Sequence, residues 1–174
     1  MQILVKKLTG IDLMRRACEM TMHGQESMVT LNEIYRCEHS PMRTQLFWIE
    51  MIGIPTFVSV HLVRHKIGAE HFVMSNRDDR GGDDNVNRQT PVNHGMLLNA
   101  QALVNMARKR LCHKSHSTTR LVMNSIRDEI SKLDSDLAKH MVPECVYRLG
   151  CHEPKPCGHF VANLEKYGRE KERK

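Results

Sequence analysis

The longest apolar stretch of the chain runs from Leu46 to Val63, and Glu50, Pro55 and His61 break it. A membrane-spanning helix needs about 20 predominantly apolar residues in a row, so this stretch does not supply one, and no membrane partner is expected. It divides at Pro55 instead. Residues 44–52 alternate in the manner of a strand. Pro55 suits the first turn of a following helix, where a missing N–H costs nothing. The apolar positions of Ile54–Val63 cover one face of that helix. Continued helical geometry would place His61, Arg64, His65 and Gly68 at i, i+3, i+4 and i+7, on a shared face. The run ends in Arg64-His65-Lys66, and Ser75-Asn76-Arg77 follows shortly after. So many polar, mostly cationic groups behind an apolar helix read as a site for a multiply anionic ligand. A solvated basic helix end that complements the helix dipole is the plainer alternative.

The other segments supply a framework for that site. A strand is expected over residues 2–8 and a helix from Asp12 to Met22, closed by Gly24. Thr30 with Glu33 forms a capping box that opens a short helix to about Cys37. Residues 77–85 hold glycine and acid enough for an exposed loop. From Gly95 to about His113 the spacing of Leu98, Ala102, Met106 and Arg110 is helical. A second long helix is expected from Ser117 to His140, with Val122, Ile126, Ile130, Leu133 and Leu137 as its buried stripe. The fold class is therefore α+β, with helices flanking a small, mainly antiparallel sheet. Residues 1–144 read as a single domain. Residues 145–174 form a Cys/His-containing and charged tail, packed on the domain or extending from it, and its last ten residues are expected to fray.

Composition narrows the partners. Aromatics are only 5% of the 174 residues while methionine numbers 12, so methionine and leucine must fill much of the interior. The net charge of +6 favours anionic partners. Aromatic residues do not interleave with the basic ones, which favours a small phosphorylated ligand over nucleic acid, and nucleic acid is not expected. A nucleic-acid-binding module, the reading from another class, would use Arg108-Lys109-Arg110, Lys114, Arg120 and the basic end from Lys166. The first residues carry their charges after the apolar positions and read as a strand rather than a signal peptide, which points to a cytoplasmic protein. Its six cysteines are then reduced thiols or metal ligands rather than disulfides. Cys145, Cys151 and Cys157 with His152 or His159 could hold zinc, but the gaps exceed the usual spacing within a ligand pair. A compact tail with partly buried thiols is the alternative. Cys112, His113 and His116 read as polar surface or ligand-facing residues.

Three elements, taken in order, resemble one family. His61-Leu62-Val63-Arg64-His65-Lys66, then Ser75 and Arg77, resembles the signature of the flavin-dependent thymidylate synthases: Arg-His-Arg, seven or eight residues, Ser. Cys37-Glu38-His39-Ser40-Pro41, followed by Gln45-Leu46-Phe47-Trp48-Ile49-Glu50, resembles the family's Gly-His-x-Ser-Pro element and the strand after it. Pro91-Val92-Asn93 with Asn99, Asn105, Arg108 and Arg110 resembles a second family block. The likeness covers roughly residues 35 to 120.

The resemblance implies reductive methylation of dUMP at carbon 5. Methylenetetrahydrofolate would give the carbon, FAD would carry the hydride and NADPH would reduce the flavin. It implies a homotetramer with shared active sites. Arg64 and His65 match positions contacting nucleotide and flavin, and Lys66 stands where the family usually has Arg. Ser40, Asn105 and, more weakly, Asn99 match flavin contacts. Ser75 and Arg77 match nucleotide contacts, Ser75 only weakly a nucleophile, and His61 replaces a Gln at the nucleotide. Arg88 adds a cation for the anionic ligands. Arg110 matches the arginine that polarises the pyrimidine at nitrogen 3. Val73 and Arg43 replace family acids, and Glu38-His39 exchanges two positions. These departures leave open a hydroxymethylase or methylase acting on dCMP or dUMP, or a non-catalytic interaction protein on the same scaffold.

Overall fold

A computed structural model describes residues 1–23, 25, 28–83 and 85–168. Strands β1 (Gln2–Lys7), β2 (Leu46–Pro55), β3 (Ala69–Val73) and β4 (Pro91–Asn99) form one antiparallel sheet in the order β1-β2-β4-β3. The central pair β2–β4 runs from Leu46 opposite Asn99 to Pro55 opposite Pro91, with a bulge between Met51 and Ile54. Gly53 lies in it at φ +68°, a conformation glycine adopts freely. The alternation predicts which side is covered. Phe47, Ile49 and Met51 of β2, with Met96 and Leu98 of β4, are buried on one face. On the other face Trp48 lies against Phe72, ring centroids 5.6 Å apart, and a Cβ at Gly95 would come within 2.9 Å of the indole.

Helix α1 (Ile11–Thr21) buries Met14 and Cys18. Helix α2 (Leu31–Cys37) opens with both hydrogen bonds of the Thr30/Glu33 capping box. Its cap Glu38 takes a left-handed conformation. A 3₁₀ turn at Ser40–Thr44 leads into β2, and α3 (Thr56–Leu62) follows with Pro55 as its cap. Next come α4 (Ala100–Arg110), α5 (Ser117–Leu133), α6 (Ser135–His140), α7 (Glu144–Tyr147) and α8 (Phe160–Tyr167). The core is rich in methionine, as composition requires: Met14, Met42, Met51, Met96, Met106, Met123 and Met141 are fully buried.

Several expectations are corrected. Residues 95–99, expected to open a helix, close β4, because Val92, His94, Met96 and Leu98 alternate into the core. The helix begins only where the Asn99 side chain accepts from the Ala102 N–H. Strand β3 was not expected. The long helix from Ser117 to His140 breaks at Asp134, whose carboxylate accepts from Leu137 N–H and caps α6. Leu133, placed in the buried stripe, is exposed. The loop after Arg77 is exposed and holds a 3₁₀ turn at Asp78–Arg80. Gly24 and residues 169–174, which carry the expected helix end and the frayed terminus, lie outside the described residues. Cys145, Val146 and Tyr167 of the tail join the same core as the sheet. Among the described residues no helix is long and apolar enough to cross a membrane.

Candidate active site

The helix α3 ends at Leu62, so Arg64, His65 and Gly68 do not continue its face as expected. The sheet draws the chain away. Gly68, at φ +73°, packs against the Asn99 side chain, its carbonyl accepts from Asn99 N–H at 3.0 Å, and Ala69 then pairs with Leu98. Arg64-His65-Lys66 thus forms a turn between helix and strand, with the His65 ring directed at the end of α4.

There Arg110 Nε donates to His65 Nε2 at 2.9 Å, and Arg110 Nη2 donates to the His61 carbonyl at 2.5 Å. A ring nitrogen that accepts carries no proton, so a neutral His65 holds its proton on Nδ1. Its pKa is pushed down to about 4, first by burial and then by Arg110, His71 and Lys109. Burial also lowers the His61 pKa, aided by Arg110, Arg64, His116 and Arg88, and that of Arg110, aided by Arg64. His61 Nδ1 lies 2.9 Å from Thr119 Oγ1. Phe57 gathers the rest: His61 and His116 meet its ring edge-on at 5.7 and 4.6 Å, and the Arg88 guanidinium stands 5.5 Å from its centre. Among the described residues Arg64, Arg88 and Arg110 form no ion pair with a carboxylate. The arrangement is a cationic cluster beside the His61 and His65 imidazoles, which burial and the arginines hold toward the neutral form, and it suits an anion.

The structure therefore brings His61, Arg64, His65, Arg88 and Arg110 together. It places the other candidates elsewhere. Arg77 is held by Asp79 through bonds of 2.8 and 2.6 Å, and its N–H donates to Ser75 Oγ at 3.3 Å, so both sit within a local turn after β3. Lys66 and Ser40 are exposed. Asn99 uses its side-chain carbonyl oxygen to cap α4. Asn105 accepts from Arg108, which pairs with Glu38 and lies 3.6 Å over the Tyr147 ring. Sequence reasoning missed Phe57, Thr119, His71 and His94 as neighbours of the cluster; a histidine in the buried phase of residues 92–98 was the available signal.

The cysteine-rich tail does not make the zinc site offered above. Cys145, Cys151, His152 and Cys157 line a cavity of about 210 Å³ together with Cys112. No three of the described histidines, cysteines and acids are arranged to hold a metal ion. Cys145 is buried in α7 and its Sγ accepts from Asn163 Nδ2 at 3.4 Å, whereas Cys151 and Cys157 stand in the following loop. The wide sequence gaps spread the thiols around the wall. Burial raises the Cys112 pKa, with Cys157, Cys145 and Glu153 acting in the same direction.

No protein-family model matches the chain, and no curated protein matches it in sequence. Solved structures do match. Thymidylate synthase X from Helicobacter pylori with FAD and dUMP aligns at a TM-score of 0.66 and 13% identity, over 81% of this chain and 99% of that one. A second structure of the flavin-dependent thymidylate synthase from Helicobacter pylori, complexed with FAD and dUMP, gives 0.64 and 13%, over 79% and 97%. A UMP/dUMP methylase from Streptomyces cacaoi bound with 5-Br dUMP gives 0.61 and 12%, over 80% and 94%. The chain has the fold of the flavin-dependent thymidylate synthases.

Proposed function

We propose that this chain is an FAD-dependent pyrimidine nucleotide C5 one-carbon transferase, and in its specific form a thymidylate synthase acting on dUMP. The observation that carries the reading is Arg110, a partly buried guanidinium braced by a neutral imidazole and a carbonyl with no described carboxylate to satisfy it. The charge of Arg64, Arg88 and Arg110, which no carboxylate among the described residues pairs, fits anionic FAD and a nucleotide phosphate. Bound FAD would supply the hydride, methylenetetrahydrofolate the carbon and NADPH the reducing equivalents.

The chain's own contribution is electrostatic. Carbon 5 of the pyrimidine becomes nucleophilic as negative charge gathers on the ring. Arg110 stabilises that charge, and its bond to His65 keeps the guanidinium from reorienting as the charge develops. Because His65 stays neutral, it offers Nε2 as an acceptor rather than repelling Arg110. Arg64 and Arg88 neutralise phosphate. Ser40, Asn105, Ser75 and Arg77 lie outside this cluster, which supports active sites shared between subunits of a homotetramer. Each subunit then lends one neighbour what another neighbour lends it.

The test is the visible absorption spectrum of the protein incubated with FAD, repeated with dUMP and with dCMP. A bound-flavin spectrum perturbed by dUMP supports the thymidylate synthase form. Perturbation by dCMP alone moves the substrate to cytosine and favours hydroxymethylation or methylation there. Absence of flavin binding refutes the reading.

A further inference from the structure

Behind the cationic cluster a row of polar side chains runs through the apolar interior. Ser59 Oγ lies 3.0 Å from His94 Nδ1, His94 Nε2 lies 3.0 Å from His71 Nδ1, and His71 Nε2 lies 2.9 Å from the His65 carbonyl oxygen. Ser59 and His94 are 2% and 1% exposed. With neutral rings, one end of the row fixes all of its protons. A carbonyl only accepts, so His71 Nε2 must donate to it. A neutral His71 then accepts at Nδ1, which makes His94 Nε2 a donor and His94 Nδ1 an acceptor, and the Ser59 hydroxyl donates there. Burial, with His71 beside it, pushes the His94 pKa down to about 4, in keeping with a neutral ring. Every bond points the same way, toward the turn that carries His65.

This row is an unfavourable choice for its position. His94 shares its strand face with Val92 and Met96 and stands opposite Met51, all of them buried apolar residues. An apolar side chain there would avoid desolvating two imidazoles. What the row does reach is the backbone oxygen of the residue whose ring holds Arg110. The His65 turn is otherwise tied down by few bonds, chiefly His65 N–H to the Leu62 carbonyl at 3.0 Å.

We propose that His71 and His94 are positioning residues: the one-way chain from Ser59 through His94 and His71 to the His65 carbonyl fixes the turn that aims the His65 ring at Arg110. The consequence for nucleotide binding rests on the function proposed above; the proton arrangement does not.

The experiment therefore has two readouts, made on the full chain. The first is the long-range ¹⁵N–¹H spectrum of the histidines at neutral pH. Protons on Nε2 of His71 and His94 and on Nδ1 of His65 are expected, and any other set overturns the proposal. The second is the dUMP affinity of FAD-loaded protein carrying His71→Gln or His71→Phe. Glutamine both accepts and donates, so His71→Gln should stay within about twofold of the parent, whereas His71→Phe should bind about tenfold more weakly, the worth of one well-made hydrogen bond. His71→Phe should also give mixed His65 tautomers. Equal losses in the two variants, or none in His71→Phe, overturn the proposal. If His71→Phe does not fold, the parent spectrum and His71→Gln decide. If the parent binds no dUMP, the function falls while the spectrum still judges the relay.

Discussion

Acid should weaken this fold well before its carboxylates titrate, and two imidazoles carry the effect. His65 and His94 are pushed from the ordinary histidine value of 6.5 down to about 4. Above pH 6.5 both rings are neutral in the folded and the unfolded chain, and the stability they permit is fully present. As pH falls below 6.5 the unfolded chain takes up protons that the folded chain refuses. Stability is then lost progressively and the loss is complete by about pH 4. A tenfold difference in proton affinity is worth about 1.4 kcal/mol, so keeping one fully shielded ring neutral at pH 5 costs about 2 kcal/mol. With the partial exposure of His65 discounted, the pair should cost about 3 kcal/mol. That is a large share of the roughly 5–15 kcal/mol typical of a domain. Urea unfolding at pH 7.5, 6.5, 5.5 and 5.0 measures it, with a His65→Gln/His94→Gln double variant as the reference. Glutamine keeps a donor and an acceptor but does not titrate, and the remaining histidines cancel between the two proteins. Parallel loss of stability in both proteins across this window would refute the reasoning.

Arg110→Ala should lower kcat by roughly 10²–10³ while leaving FAD bound, the usual cost of removing one donor aimed at developing charge; single-turnover flavin oxidation with dUMP and folate measures it, and unchanged turnover removes Arg110 from the mechanism. The same variant should raise the His65 pKa, since Arg110 follows burial as its cause, and NMR titration reads the change. Asp134→Ala should destabilise by about 3–5 kcal/mol in urea unfolding, because the buried carboxylate accepts from Lys7 and Tyr35 and caps α6; a loss under about 1 kcal/mol would mean those bonds contribute little net. Thr30→Ala should cost about 1 kcal/mol through the lost cap of α2, and circular dichroism melts that match the parent would contradict the capping box.

What could be read in advance depended on how local its cause was. The capping box of α2 and the strand start at β1 were legible because adjacent residues fix them. Strand β4 was hidden because Asn93, His94 and Gly95 blur its alternation, while Leu98, Ala102 and Met106 mimic a helix through its end. Strand β3 escaped because it is an edge strand with Phe72 and Val73 exposed, so burial imposes no pattern on it. The break at Asp134 keeps the four-residue spacing in phase on both sides. At the site, Arg64 and His65 were legible as cationic groups behind an apolar helix, and Arg110 was named from the motif resemblance. Their contact, and the His71–His94 row behind it, join residues from separate elements and needed the fold.

Asp134 also bears on how the chain reaches and leaves its native state. Its carboxylate holds Lys7, 127 residues away, whereas the nearby Thr9–Thr44 bond closes a separation of 35. Closure entropy grows only with the logarithm of length, so the longer ring costs about 1 kcal/mol more. The clasp nonetheless ties together two segments that a growing chain makes 127 residues apart. A contact of such long range that closes only after the folding barrier slows escape from the native state rather than hastening arrival. A slower unfolding rate with unchanged folding rate relative to Asp134→Ala would assign the clasp to that class. The edge strand β1 is thus fastened at Lys7 by a carboxylate on the far side of the sequence.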